Sequence, residues 1–194
     1  MALAVFAWGR MNPPTIGHRR VVAKVEELTD QSEYGKGFIY LSHSVDKKHE
    51  NKNPLPYDLK IDYAQKAFGD IIKKSNARTV IEALHEIYEQ GFDQLIYVGG
   101  EDRIGGDGDI TEMIKKYNGF EAKPEMFYEF KDIQFESAGH RDDSSDDLET
   151  KASASFVRKL VLDNDWEMFK KMVPLDELYA ADMWKDLRSI MVEK

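Results

Sequence analysis

The sequence predicts an α/β protein in which a doubly wound parallel sheet is followed by C-terminal helices. Residues 3–8 are apolar throughout, residues 94–98 are apolar after Gln94, and both runs are rich in strand-forming side chains, which is the pattern of parallel strands buried on both faces. A glycine follows each of the two runs, and segments with helical periodicity lie between them. We therefore predict that these strands are adjacent at the centre of the sheet, where the glycine turns border a ligand crevice.

The overall composition is that of a globular domain with its own core. The 194 residues are 42% hydrophobic and 32% charged, a balance typical of soluble proteins. The net charge of −9 argues against binding to nucleic acid or to an anionic membrane, because both require a basic surface. The sequence contains no cysteine, which excludes disulfides, thiolate zinc sites and a thiol nucleophile. Since no membrane span or signal peptide is evident, we expect a cytoplasmic protein.

The first half of the chain alternates between strand and helix patterns. Apolar residues at helical spacing predict helices over 19–28, 59–68 and 79–89. A second strand is predicted at 36–41, and only residues 76–80 are available for a further strand between the second and third helices. This alternation is typical of βαβ units with parallel strands.

Beyond the central strand at 94–98, the pattern predicts a helix over 110–117 and another strand at 125–130. The next segment, 136–149, is polar, acidic and without periodicity. We interpret it as a mobile loop that becomes ordered only when a ligand binds, because it offers few apolar side chains with which to pack.

The C-terminal residues, 163–194, are predicted to form a helical extension that packs on a domain made by residues 1–162. Aromatic residues and methionines recur there at helical spacing. We interpret them as packing residues, and the sequence leaves open whether they also form the interface of a homo-oligomer.

Residues 9–18, GRMNPPTIGH, are the predicted turn between the first strand and the first helix. An opening glycine permits a sharp turn, and two prolines stiffen the loop. Thr15 occupies the expected N-cap position, which places Gly17 and His18 in the first helical turn. Backbone N–H groups at a helix start attract anions, and Arg10 adds positive charge. A solvated basic helix start with a capping histidine has the same composition, so the residues alone leave both interpretations open.

A second candidate anion site opens the helix that follows the acidic loop. Its sequence, ASASFVR at residues 152–158, places Ser153 and Ser155 at a helix start and Arg158 one turn along. Hydroxyls, backbone N–H groups and a guanidinium together suit a polyphosphate. Taken alone, the pattern is equally that of a capped surface helix.

Two loops supply further candidates. The polar loop over 42–56 is long enough to be functional, and it contains Lys47, Lys48 and Lys52. The turn GGEDR at residues 99–103 follows the central strand directly, where α/β folds bind ligands. A solvated lysine-rich loop and a plain surface turn are the alternative interpretations.

Together, the two motifs resemble the signatures of the nucleotidylyltransferase superfamily. The first signature is Gly-x-Phe-x-Pro-x-His/Thr-x-Gly-His, and the chain has Met11 in place of phenylalanine and Thr15 in place of the first histidine. The second is Ile/Val-Ser-Ser/Gly/Ala-Thr/Ser-x-x-Arg, to which ASASFVR is similar, with Ala152 in place of the β-branched residue. The resemblance covers about residues 1–162 and implies a Rossmann-like nucleotidylyltransferase fold, with residues 1–162 as the catalytic domain.

Within the superfamily, GR-x-N-PPT-x-GH is most similar to adenylyltransferases that act on nicotinamide mononucleotide, including the small versions carried by bacteriophages. The resemblance implies transfer of AMP from ATP to a phosphate-bearing acceptor such as nicotinamide mononucleotide, with release of pyrophosphate. Three alternatives stay open: a cytidylyltransferase, a pantetheine-phosphate adenylyltransferase and, from another class, a non-catalytic nucleotide-binding or assembly module.

The resemblance also implies residue roles. His18 would contact the transferring α-phosphate with Thr15 beside it, and the β- and γ-phosphates would be held by Arg158, Ser153 and Ser155. The further nucleotide-binding candidates are Gly9, Arg10, Met11, Asn12, Gly17, Gly99, Asp102 and Arg103. One lysine among Lys47, Lys48 and Lys52 would reach the acceptor. Mg²⁺ is expected on the phosphates of ATP or another nucleoside triphosphate, with no metal ligands from the protein.

Overall fold

A computed structural model describes residues 2–44, 52–106, 109–121, 123–139 and 147–192, with Asp102 described by its backbone alone. The strands are β1 (Leu3–Gly9), β2 (Gly35–Leu41), β3 (Ile72–Lys73), β4 (Gln94–Gly99) and β5 (Asp132–Ser137). The helices are α1 (Arg19–Asp30), α2 (Tyr57–Phe68), α3 (Val80–Tyr88), α4 (Thr111–Tyr117), α5 (Leu148–Lys151), α6 (Ala154–Leu162), α7 (Trp166–Met172) and α8 (Glu177–Met191). In this part of the chain, none of the helices combines the length and the apolar character that a membrane crossing requires.

The five strands form one sheet in the order β3-β2-β1-β4-β5. β1 is parallel to both β2 and β4, and β4 is parallel to β5. Leu3 is in register with Gln94, and the pairing continues to Ala7 opposite Val98. The predicted adjacency of the two apolar strands at the centre of a parallel sheet is therefore confirmed.

The described residues divide into two compact units. The first unit comprises Met1–Gly9, Arg20–Ser42 and Lys73–His140, and it contains most of the sheet. Its core is aromatic: the Phe6 ring meets Tyr40 and Tyr97 edge to face, with centroid distances of 5.7 and 5.8 Å. Each fully buried side chain of this size contributes roughly 1.5–3 kcal/mol to folding, so these rings on three adjacent strands fix the sheet.

The second unit comprises Arg10–Arg19, His43–Ile72 and Arg141–Lys194. Its core gathers apolar side chains of α2, α6, α7 and α8, among them Val157, Phe169 and Leu187. The Tyr63 hydroxyl on α2 also donates to the Asp186 carboxylate on α8 at 2.6 Å. The predicted boundary between residues 162 and 163 falls inside this unit, and the division into a domain and an extension stays a prediction.

The strand predicted at 125–130 is wrong. Pro124–Met126 is a 3₁₀ turn, and the strand that pairs with β4 is β5, at Asp132–Ser137. Tyr128 and Phe130 are buried in the core of the first unit, so the apolar character of this stretch reports side-chain packing rather than membership of the sheet. A short apolar run does not distinguish these two causes.

Two other expectations also need correction. The strand predicted at 76–80 is wrong, since β3 lies at Ile72–Lys73 and the Thr79 side chain instead caps α3 by accepting from the Glu82 N–H at 3.2 Å. The loop predicted over 136–149 is shorter than expected, because β5 extends to Ser137 and α5 begins at Leu148. Residues 140–146 lie outside the described residues, and ligand-dependent ordering of the loop stays a prediction.

Candidate functional site

The loop after β1 buries most of its side chains. Met11 is 3% exposed, Asn12 1% and Thr15 0%. The backbone of Met11 is in the left-handed region, at φ 41°, a conformation that residues other than glycine rarely adopt. Since Asn12 and Thr15 bond to Leu55 and Ala152 of the second unit, the loop is a packed element whose polar groups are held in fixed directions.

His18 ends the 3₁₀ helix Ile16–His18, of which Thr15 is the N-cap, as predicted. The Thr15 backbone N–H donates to the His18 Nδ1 atom at 2.9 Å. A backbone N–H can only donate, so Nδ1 is an acceptor and the proton of the neutral ring resides on Nε2. The loop therefore selects one tautomer, with an N–H donor on the side of the ring opposite Thr15.

The two sequence motifs are in direct contact. The Thr15 hydroxyl donates to the Ala152 carbonyl oxygen at 2.6 Å. A Cβ atom at Gly17 would lie 2.5 Å from the same oxygen and 2.9 Å from the Glu149 carbonyl oxygen. Gly17 is therefore required for the close approach of the second motif, and a nucleotide contact at this residue stays a prediction. A role for Thr15 beside a phosphate would require its hydroxyl proton to leave Ala152.

Arg158 connects α6 to the loop after β1. Its Nη1 donates to the Asn12 carbonyl oxygen at 2.7 Å, and its Nη2 donates to the Ser155 hydroxyl at 3.0 Å. Ser153 caps α6 by accepting from the Phe156 N–H at 3.1 Å. Desolvation, and then the nearby charge of Arg10, lower the pKa of Arg158. The structure thus brings the predicted Arg158, Ser155 and Asn12 together.

The sequence did not single out Lys60, although it belongs to the same unit. It lies on α2, its side chain is 1% exposed, and its Nζ is 5.8 Å from the centroid of the Tyr57 ring. Desolvation by burial, followed by the charge of Arg10, lowers the pKa of Lys60 to about 8. The available signal was its spacing, since Lys60 is three and four residues before the buried Tyr63 and Ala64 and so shares the inner face of α2.

Arg10, Lys60 and Arg158 together make one cationic cluster, which we call the cation cluster. The charge of Arg10 acts on both of the other two side chains. Lys60 is buried and Arg158 is partly buried. Guanidinium and ammonium groups are donors that suit phosphate oxygens, which makes this cluster a candidate site for a multiply charged anion.

The other predicted residues have different locations. Gly9 ends β1 and Gly99 ends β4, whereas Arg103 and the backbone of Asp102 belong to the 3₁₀ helix Glu101–Arg103 that follows β4 in the first unit. Lys52 is exposed, while Lys47 and Lys48 lie outside the described residues. Across the part of the chain that the structure describes, no three His, Asp or Glu side chains are grouped as metal ligands.

Solved structures share the fold at low sequence identity. A provisionally assigned nicotinate-nucleotide adenylyltransferase from Vibrio parahaemolyticus is 12% identical, with a TM-score of 0.53 over 95% of this chain and 99% of that one. A nicotinic acid mononucleotide adenylyltransferase from Plasmodium falciparum, solved with APC, is 13% identical, with a TM-score of 0.49 over 95% and 98% of the two chains. At such identities, the similarity to the Vibrio structure shows only that this chain has a Rossmann-like α/β fold. The TM-score of the Plasmodium structure is too low to support a further conclusion.

The sequence comparisons identify the family. No curated protein sequence matches the chain significantly. The sequence model of the cytidylyltransferase-like family matches residues 6–191, a span that includes both motifs and most of each structural unit. This match confirms the predicted resemblance to the nucleotidylyltransferase superfamily. The chain belongs to the cytidylyltransferase-like family.

Proposed function

We propose that the chain is a nucleotidylyltransferase that transfers AMP from ATP to a phosphate-bearing acceptor such as nicotinamide mononucleotide and releases pyrophosphate. The observation that carries the proposal is the cation cluster of Arg10, Lys60 and Arg158 in the unit that also holds His18 in a single tautomer. Family membership supports the reaction class. The choice of adenine and of the acceptor rests on the resemblance of the first motif.

The cation cluster suits the β- and γ-phosphates. A guanidinium binds phosphate oxygens through two parallel N–H groups, and an ammonium adds a compact charge. Arg158 donates to two uncharged oxygens, those of Asn12 and Ser155. A phosphate oxygen near Ser155 would replace a neutral acceptor with an anionic one, which strengthens the hydrogen bond. The hydroxyls of Ser153 and Ser155 lie at the same helix start.

His18 is proposed to act on the reacting phosphate. An acceptor phosphate oxygen attacks the α-phosphorus, the bond to the bridging oxygen of the β-phosphate breaks, and pyrophosphate leaves with the electron pair. Negative charge grows on the α-phosphate oxygens, and the His18 Nε2–H is a donor that can stabilise it. The attacking phosphate is already largely ionised at neutral pH. No general base is then required, and positioning and charge stabilisation supply the rate.

The proposed Mg²⁺ is held by the substrate. The side chains assembled at the site are cationic or hydroxyl groups, which bind phosphate oxygens rather than a cation. When bound to the triphosphate, Mg²⁺ neutralises part of its charge. Lys52, Lys47 and Lys48 remain the candidates for the acceptor phosphate, and Asp102 and Arg103 for the nucleoside or the acceptor.

Pyrophosphate release tests the proposal directly. ATP and CTP are each offered with nicotinamide mononucleotide, phosphopantetheine, choline phosphate and glycerol phosphate in the presence of Mg²⁺. We expect release with ATP and nicotinamide mononucleotide, lowered about 100- to 1000-fold in His18→Ala. Release should be retained in His85→Ala, whose imidazole contacts the Phe127 carbonyl oxygen in the first unit at 2.7 Å. Release with CTP would select the cytidylyltransferase alternative, and nucleotide binding without release from any pair would select the non-catalytic module.

A further inference from the structure

Asn12 is anchored through its side chain to a segment 43 residues away. Its Nδ2 donates to the Leu55 carbonyl oxygen at 3.0 Å, and its Oδ1 accepts from the Leu55 N–H at 3.0 Å. The side chain is buried, with 1% of the residue exposed. Both ends of the amide are therefore satisfied by one residue, an arrangement that we call the Asn12 bracket. Because hydrogen bonds inside a protein are directional, the bracket fixes the position of residue 12.

The main chain of the same residue makes a different connection. Its carbonyl oxygen accepts from the Arg158 Nη1 at 2.7 Å, a charge-assisted hydrogen bond. The guanidinium also donates to the hydroxyl of Ser155. Ser155 is exposed, so water competes for this hydrogen bond. The Asn12 carbonyl is accordingly the firmer of the two contacts that orient Arg158.

We infer that Asn12 is a positioning residue: its bracket on Leu55 fixes the carbonyl oxygen that orients the Arg158 guanidinium. Leu55 directly precedes Pro56, the N-cap of α2, so the bracket also ties the helix that bears Lys60 to the loop that bears Arg10. The amide thus fixes the segments that carry Arg10 and Lys60, and it acts on Arg158, which lies on α6, through the Asn12 carbonyl oxygen. The consequence for catalysis rests on the proposed function, whereas the orientation of Arg158 does not.

The first unit contains a matched control. Asn118 brackets Phe130 in the same way, with its Nδ2 donating to the Phe130 carbonyl oxygen at 3.0 Å and its Oδ1 accepting from the Phe130 N–H at 2.8 Å. Asn12→Ala and Asn118→Ala remove equal numbers of hydrogen bonds. Each is expected to lower the melting temperature by a similar amount. This decrease measures the contribution of the two side-chain hydrogen bonds to stability, separately from any effect on Arg158.

The orientation of Arg158 is read by NMR of its guanidinium. In the wild type and in Asn118→Ala, we expect slow rotation and separate Nη signals for Arg158, assigned through their loss in Arg158→Lys. In Asn12→Ala, these signals should merge as the side chain gains freedom. If Arg158 keeps separate signals in Asn12→Ala, the inference is overturned. Asn12→Ser, which can form one of the two hydrogen bonds, replaces Asn12→Ala if the alanine variant does not fold.

Calorimetry with inorganic tripolyphosphate measures how the Asn12 bracket affects anion binding. We expect Asn12→Ala to weaken binding about tenfold and Asn118→Ala to leave it unchanged, since a charge-assisted contact is worth at least that factor. In an Arg158→Ala background, Asn12→Ala should weaken binding clearly less than it does in the wild type, because only the tie between the Arg10 loop and the Lys60 helix is then lost. An equal loss in both backgrounds would overturn the inference. If Arg158→Ala itself binds tripolyphosphate as tightly as the wild type, the proposed function fails, and the NMR result still decides the role of Asn12.

Discussion

The two units of the molecule bury different kinds of polar side chain. Among the described residues, the buried polar side chains of the first unit are hydroxyls, those of Ser42, Ser75 and Thr111. Those of the second unit include two amides and an ammonium, from Asn12, Asn53 and Lys60. A hydroxyl is easily satisfied inside a protein, whereas a buried ammonium costs free energy. The difference agrees with the proposed function, in which the buried ammonium of the second unit serves a charged ligand and the first unit serves stability.

Replacement of the two histidines gives the largest expected contrast between the units. His18→Ala should lower turnover by about 100- to 1000-fold, because it removes one donor to the charge that develops on the α-phosphate. His85→Ala, which affects the first unit, should keep turnover within about twofold, with any effect confined to stability. Steady-state pyrophosphate release measures both. Full turnover in His18→Ala would remove His18 from the reaction.

Two glycines give the next contrast. Gly17→Ala places a Cβ atom 2.5 Å from a backbone oxygen of the second motif, and backbone atoms cannot move aside as a flexible side chain can. We expect a loss of about 1–3 kcal/mol in the free energy of unfolding. At Gly9, at the end of β1, a Cβ atom would meet no described atom within 4 Å, so Gly9→Ala should change stability by less than about 0.5 kcal/mol.

Chemical denaturation measures the glycine pair. Equal stability of the two variants would show that the backbone around Ala152 can move to accommodate a Cβ atom at residue 17. The close approach at Gly17 would then contribute little to the stability of the second unit.

The lysine in the cation cluster should make binding dependent on pH. The pKa of Lys60 is lowered to about 8, and a bound triphosphate favours the charged form, so binding above this pH takes up a proton. We therefore expect the affinity for ATP to fall about tenfold between about pH 7 and pH 9. In Lys60→Met, binding should be weaker at neutral pH and nearly independent of pH in the same window. Exposed Lys131 of the first unit serves as the control, through Lys131→Met.

Calorimetry at several pH values measures this dependence and also corrects for the ionisation of ATP itself. An identical pH profile in the wild type and in Lys60→Met would show that Lys60 does not respond to the ligand.

The sequence was sufficient to predict the central strands of the sheet, but not β5, the strand at its edge. Residues 3–8 and 94–98 could be predicted because strands buried on both faces are apolar at nearly every residue, a signal contained in the segment itself. The stretch 125–130 is also rich in aromatic residues, yet Tyr128 and Phe130 fill the core while its backbone is held by the Asn118 side chain and by Gly119. Whether an apolar run pairs with a strand or packs beside the sheet depends on tertiary contacts that no local pattern contains.

The same distinction applies to the candidate site. The motifs made His18 and Arg158 candidates because the spacing of these residues is a property of the sequence. Lys60 was missed because a lysine in a helix is normally exposed, and its burial depends on the packing of α2 in the second unit. Asn12 was assigned to the nucleotide, whereas its side chain bonds to Leu55, a partner too distant along the chain to be inferred.

In the proposed mechanism, the cation cluster binds the triphosphate in the ground state, whereas His18 acts on the reacting phosphate. The most direct test is the dissociation constant for a non-hydrolysable ATP analogue in Arg158→Ala and in His18→Ala, with Arg78→Ala of the first unit as the control for the loss of an arginine. We expect binding to weaken at least tenfold in Arg158→Ala and to stay within about twofold of the wild type in the other two variants. An equal loss of affinity in Arg158→Ala and His18→Ala, or no loss in Arg158→Ala, would contradict this division of roles.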